Sequence, residues 1–119
     1  RVPDERGQAT RIENRAPCAS ANPYLVFAAA FAAGLDGIEN KIDPGEHAVG
    51  DVYSAAPGTC ETVPFYLRDA LEHLKDDKVL CDAMGPELVQ AFIALKKDEL
   101  ERFRLHVTDW EFKEYSYQL

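Results

Sequence analysis

From Phe65 onward apolar positions recur at helical spacing. Leu67, Ala70, Leu71 and Leu74 form one stripe. A short helix around 77–83 should stop near Gly85, and Pro86 then opens the longest amphipathic segment, about 86–105. There Val89, Phe92, Ile93, Leu100 and Phe103 share a face, with Lys96, Lys97, Glu99 and Glu101 largely outside. Thr108-Asp109-Trp110-Glu111 has the spacing of a capping box for a last short helix ending in Tyr115 and Tyr117. The most apolar run, Tyr24 to Leu35, is too short for a membrane span of ~20 residues. As a signal-peptide core it lies too deep in the chain, and Asp4, Glu5 and Glu13 stand upstream. The pattern predicts instead a helix over about 23–39, buried on nearly all sides, with Pro23 in its first turn and Ser20 or Asn22 as its cap.

Residues 1–17 are short, polar and rich in arginine. Arg1-Val2-Pro3 and Thr10 to Arg15 read as two brief strands joined by Asp4-Glu5-Arg6-Gly7. Residues 40–64 read as a long, exposed, acidic loop broken by Asp43-Pro44-Gly45, Pro57-Gly58 and Pro64. The expected class is therefore α+β, mainly α: short N-terminal β-strands over 1–17, then a helical body over 18–119 containing the loop 40–64.

Composition narrows the function classes. The chain has 119 residues, the length of one domain, and its hydrophobic (46%) and charged (29%) fractions are those of a folded protein. A net charge of −8 has the wrong sign for tracking phosphate backbones or anionic lipid, so neither nucleic acid nor membrane is expected as a partner. Cys18, Cys60 and Cys81 are odd in number and widely spaced, which argues against a disulfide framework or a structural zinc site and fits the cytoplasm. Residue 1 is Arg and no initiator Met is present, which suggests a piece of something longer.

The most unusual local feature is Arg11-Ile12-Glu13-Asn14-Arg15. In an extended segment, the period of two puts Arg11, Glu13 and Arg15 on one face. The two guanidiniums offer planar, bidentate donors to phosphate or carboxylate oxygens, and the carboxylate between them can hold a hard divalent cation. The plain alternative is a solvated strip of ion pairs, worth well under ~1 kcal/mol each. Other candidates carry less. His47, His73 and His106 are scattered without metal spacing, and Cys60 has no adjacent base. Gly34-Leu35-Asp36-Gly37 lacks the strand that precedes a phosphate loop. Trp110 and the C-terminal tyrosines read as packing or subunit contacts.

Taken together, Arg11-Ile12-Glu13-Asn14-Arg15-Ala16-Pro17, Ser20-Ala21-Asn22-Pro23-Tyr24-Leu25, Ala32-Ala33-Gly34-Leu35-Asp36-Gly37-Ile38 and Asn40-Lys41-Ile42-Asp43-Pro44-Gly45 resemble the C-terminal catalytic segment of glutamine synthetase in order and spacing. The resemblance continues more loosely through Val107-Thr108-Asp109-Trp110-Glu111 and covers nearly the whole chain. It implies an oligomeric, ATP-dependent ligase that phosphorylates the γ-carboxylate of glutamate and lets ammonia displace the phosphate. It also implies Mg²⁺ or Mn²⁺ at the site, with Glu13 as a metal ligand. By the same resemblance Arg15 binds glutamate or the transferred phosphoryl group and is the catalytic residue, Arg1 contacts the nucleotide phosphates, and Arg11 lies beside them.

Departures from the family pattern shape the expectations. Gln8 stands where bacterial members often carry a Lys. Tyr53 is followed by Ser54-Ala55-Ala56 where regulated members have Asp-Leu-Pro, so adenylylation is not expected. The Val-Thr-Asp-Trp-Glu ending looks like divergent members that use amines and make γ-glutamyl amides. A non-catalytic, glutamine synthetase-like assembly domain is the alternative from another class; the intact Arg11, Glu13 and Arg15 favour the enzyme. The remaining metal ligands would lie upstream, so the 119-residue chain alone is expected to be inactive. It is also expected to self-associate or to expose an apolar patch.

Overall fold

The computed structural model of the chain describes residues 2–48, 50, 58 and 62–118. The chain divides into two compact units, Arg1–Val63 and Pro64–Leu119.

The second unit is built by three helices, α2 (Leu67–Asp76), α3 (Lys78–Met84) and α4 (Pro86–Arg104), which pack on one another, followed by α5 (Asp109–Tyr115). Single residues make the corners. Asp77 ends α2 by donating its N–H to the carbonyls of His73 and Leu74 at 3.0 and 3.3 Å, and its Oδ1 caps α3 by accepting the Leu80 N–H at 2.9 Å. The Cys81 thiol donates to the Leu74 carbonyl at 3.2 Å across the same corner. Gly85 joins α3 to α4 at φ +88°, a conformation open to glycine, and Pro86 opens α4, where its missing N–H has no consequence.

The predicted stripe of α2 faces inward. Leu71 is 2% exposed and Val89 of α4 is 3% exposed, with Ala70, Leu74, Phe92, Ile93 and Leu100 half-buried around them. Phe103 departs from expectation and is exposed, because α4 runs past the end of the layer that α2 and α3 provide. One ion pair spans two helices: Lys97 Nζ of α4 lies 3.2 Å from Glu72 Oε1 of α2. In α5, Glu111 accepts the Thr108 N–H at 2.7 Å, and Trp110 and Tyr115 meet edge to face with ring centroids 6.1 Å apart.

In the first unit α1 (Pro23–Glu39) starts at Asn22, whose Oδ1 accepts the Tyr24 N–H at 3.0 Å. The expected burial of this helix on nearly all sides is not what its unit shows. Tyr24, Phe27, Phe31, Leu35 and Ile38 follow steps of three and four along one face, and all are exposed, from 57% at Leu35 to 83% at Tyr24. α1 is the only α-helix described in this unit, so no second layer within it covers the stripe.

The expected N-terminal β-strands are absent: no described residue is in a strand, and the class is mainly α. A strand needs a neighbour to complete its ladder. Here the connector closes into a 3₁₀ turn, Gly7–Ala9, with Gly7 at φ +71° and the Thr10 N–H bonded to the Gly7 carbonyl at 3.1 Å. Arginine side chains take carbonyls that a ladder would use: Arg6 Nη1 donates to the oxygens of Pro3 and Glu5 at 2.6 and 3.1 Å, and Arg11 Nη1 to that of Ala9 at 3.1 Å. The described part of segment 40–64 has no helix or strand, and Asp43 and Glu46 are exposed as expected. No described helix is long and apolar enough to cross a membrane.

Two outcomes follow from the helical unit. Leu71→Ala opens a cavity in a very small core and should lower stability by ~2–4 kcal/mol, read as a fall in the denaturation midpoint of α-helical circular dichroism. Hydrogen bonding and charge attraction from Lys97, helped by Lys75, hold the Glu72 carboxyl below the ordinary glutamate value. A depressed folded-state pKa contributes stability above the unfolded value, and that contribution is lost as pH falls through the folded one. Wild type should therefore lose melting temperature on acidification below about pH 4.5 more steeply than Glu72→Gln.

Candidate functional site

The residues after the 3₁₀ turn, extended at Thr10 and outside any regular element, carry the charged strip. Glu13 accepts from two arginines at once: Arg11 Nη2 lies 3.4 Å from Oε1 and Arg15 Nη2 lies 3.2 Å from Oε2. This is the one-face arrangement that the period of two predicts. Arg11 also reaches back across the turn, its Nη1 3.5 Å from Glu5 Oε2. Asn14 Oδ1 accepts the Ala16 N–H at 3.1 Å and so bends the chain directly after the strip. The order along it is Glu5, Arg11, Glu13, Arg15, with alternating sign. Glu13 is the most sheltered, at 27% side-chain exposure, against 48% for Arg11 and 63% for Arg15.

Chemically, the strip presents two exposed guanidinium forks around one carboxylate. The forks suit phosphate or carboxylate oxygens. The carboxylate is a hard oxygen donor, the type that holds Mg²⁺ or Mn²⁺ together with ligand phosphates. Among the described residues no group of three or more His, Cys, Asp or Glu side chains could hold a metal, so Glu13 fits such an ion as one donor of a larger set.

Of the residues singled out from sequence, Arg11, Glu13 and Arg15 are brought together. Arg1, Tyr53 and Cys60 lie outside the described residues. His47 sits in the exposed segment after α1, His73 in the last turn of α2 and His106 beyond α4. Sequence reasoning missed Glu5 as a member of the strip, since only the fold of the Gly7 turn brings it to Arg11. It also passed over Cys18, whose exposed Sγ lies 2.9 Å from Ser20 Oγ. Hydrogen bonding from Ser20 lowers the pKa of that thiol.

The family profile described as the glutamine synthetase catalytic domain matches residues 1–115. The chain belongs to the glutamine synthetase family. It is 46% identical to the glutamine synthetase of Methanococcus maripaludis, over 97% of this chain and 27% of that protein. It is 40% identical to the glutamine synthetase of Thermotoga maritima, over 98% of this chain and 28% of the relative. The Archaeoglobus fulgidus glutamine synthetase is also 40% identical, over 93% and 24% respectively. The chain thus spans about a quarter of the length of the curated relatives it matches.

The cysteine environments generate a direct test. With its pKa lowered by Ser20, Cys18 holds more thiolate at neutral pH and should be alkylated by iodoacetamide faster than Cys81, whose thiol is half-buried and donates to a carbonyl. Ser20→Ala should slow Cys18 alkylation severalfold and leave Cys81 unchanged, as followed by mass spectrometry of the labelled peptides.

Proposed function

We propose that this chain supplies part of the active site of a cytoplasmic, homo-oligomeric, ATP-dependent ligase that joins glutamate and ammonia. The observation that carries this reading is the Arg11–Glu13–Arg15 strip lying within a region matched by the family's catalytic domain. In the reaction, an oxygen of the glutamate γ-carboxylate attacks the γ-phosphorus of ATP and ADP leaves. Ammonia then adds to the acyl carbon of the γ-glutamyl phosphate, inorganic phosphate departs, and the nitrogen loses a proton as glutamine forms.

Each residue has a role in that scheme. Arg15 is the catalytic contact: its exposed fork grips the reacting carboxylate and then the transferred phosphoryl oxygens, where negative charge accumulates. Arg11, with Arg1, steadies the nucleotide phosphates. Glu13 supplies one oxygen ligand for Mg²⁺ or Mn²⁺. When bound, that ion neutralises phosphate charge and aligns the reacting groups. Phosphoryl transfer depends chiefly on such positioning and charge stabilisation, which is why two arginines and a carboxylate at fixed spacing suit it.

The test is replacement of the matching segment of the Thermotoga maritima relative by residues 1–115. The chimera should form glutamine, and Arg15→Gln within it should lower kcat about 10²–10³-fold with the assembly intact. An assembled, active chimera indifferent to Arg15→Gln would sink the assignment. The 119-residue chain by itself should show no glutamate-dependent ATP turnover, because its described residues bring only one donor to the ion.

A further inference from the structure

The large apolar residues on the exposed face of α1 are spaced symmetrically about Phe31. Phe27 and Leu35 stand four residues to either side of it, and Tyr24 and Ile38 seven to either side. All five are exposed. At about 100° per residue they fall within ~40° of the Phe31 direction, so they form one narrow stripe along roughly 21 Å of helix. The exposed Ala28 and Gly34 stand three residues to either side and border the stripe. Nothing lies within 4 Å of a Cβ placed on Gly34. The two ends of the helix differ in charge. Asp36 and Glu39 lie in the last turn, where the helix dipole is negative and no basic residue offsets them, whereas the first turn carries no acid.

We infer that this stripe is a homodimer interface, on which α1 of a second copy of this chain lies antiparallel across a two-fold axis at Phe31. Such an axis brings each residue opposite the one equally far on the other side of position 31. Phe27 then meets Leu35 of the second copy, Tyr24 meets Ile38, and the two Phe31 rings meet each other. A ring faces an aliphatic side chain at every pair but the central one. Ala28 falls opposite Gly34 by the same rule, which leaves room for the bulky positions to interdigitate. Charge sets the direction. In the antiparallel pair, Asp36 and Glu39 of each copy lie beside the positive N-terminal end of the other helix; a parallel pair would gather all four carboxylates at one end. At their observed exposures the five residues offer about 600–700 Å² of accessible surface per copy, so the pair buries roughly 1,300 Å², toward the lower edge of stable interfaces. Both copies use the same stripe, so the contact closes at two. The pairing concerns α1 alone and holds whether or not the arginine strip binds phosphate.

The experiment is sedimentation equilibrium of the 119-residue protein up to about 200 µM, where wild type should form dimers with a Kd of ~1–100 µM and nothing larger. Phe31→Glu sets two carboxylates against each other at the axis and should weaken association about tenfold or more. Its α-helical circular dichroism should match wild type, because the position is exposed in the single chain. Phe112→Glu, in α5 and equally exposed at 70%, should associate as wild type does. Tyr24→Lys alone should weaken the dimer, and the double variant Tyr24→Lys/Ile38→Glu should recover most of that loss. The two positions are too far apart along one helix to pair within it, so recovery requires each lysine to lie opposite a glutamate of the other copy. A wild type that stays monomeric throughout, assembly beyond two copies, a dimer indifferent to Phe31→Glu, or one that Phe112→Glu dissociates overturns the interface. A double variant no tighter than Tyr24→Lys alone overturns the antiparallel order, and with it the axis at Phe31.

Discussion

The packing of α2 against α4 buries Leu71 and Val89, and the corners of the second unit hold that contact in place. Two buried apolar residues among those described are a thin core for some fifty-five residues, and the layer forms only if the helices meet at fixed angles. The corners supply those angles. Asp77 satisfies the backbone at both ends of a one-residue turn, and Gly85 reverses the chain with a φ closed to most other residues. The Lys97–Glu72 pair then fastens the rim, where exposure makes it weak in energy but selective for register. Order here comes from local chemistry that limits how the apolar stripes can meet.

The first unit is arranged on the opposite principle. Its polar groups are satisfied locally, by arginines bonding carbonyls and carboxylates a few residues away, and its apolar face is left uncovered. That difference explains which features the sequence makes legible. Helix ends are written in single residues, and Asn22, Pro23, Asp77, Gly85 and Pro86 place the boundaries of α1, α3 and α4 within about a residue of where they fall. Strands are not written this way. Thr10 is extended, as the pattern of 10–15 suggests, but an extended segment becomes a strand only beside a partner, and alternation cannot say whether one is there. The burial of α1 is relational in the same sense. Its composition shows an apolar surface but not what covers it.

The site divides along the same line. That Arg11, Glu13 and Arg15 share a face follows from backbone geometry alone, so spacing reveals it. Glu5 joins them only because the Gly7 turn folds back, an event governed by a positive φ and invisible to periodicity. Whether the strip is more than a row of ion pairs is a question that spacing and geometry leave equally open, since exposed pairs look alike whatever their purpose. The strip lies within the residues that the family's catalytic-domain profile matches, which supports the chemical reading we propose.

The proposed phosphate role of a strip on a chain of net charge −8 also needs an account of how an anion approaches. Long-range attraction is absent, and the two arginines are locally balanced by Glu5 and Glu13. Binding must therefore depend on short-range, bidentate geometry and on whatever relieves the internal pairing. A free-standing arginine cluster would attract phosphates indiscriminately. The acidic balance of the chain and the proposed phosphate role of the arginine strip are compatible on that ground, since the carboxylates of Glu5 and Glu13 blunt its charge and leave recognition to the geometry of the forks.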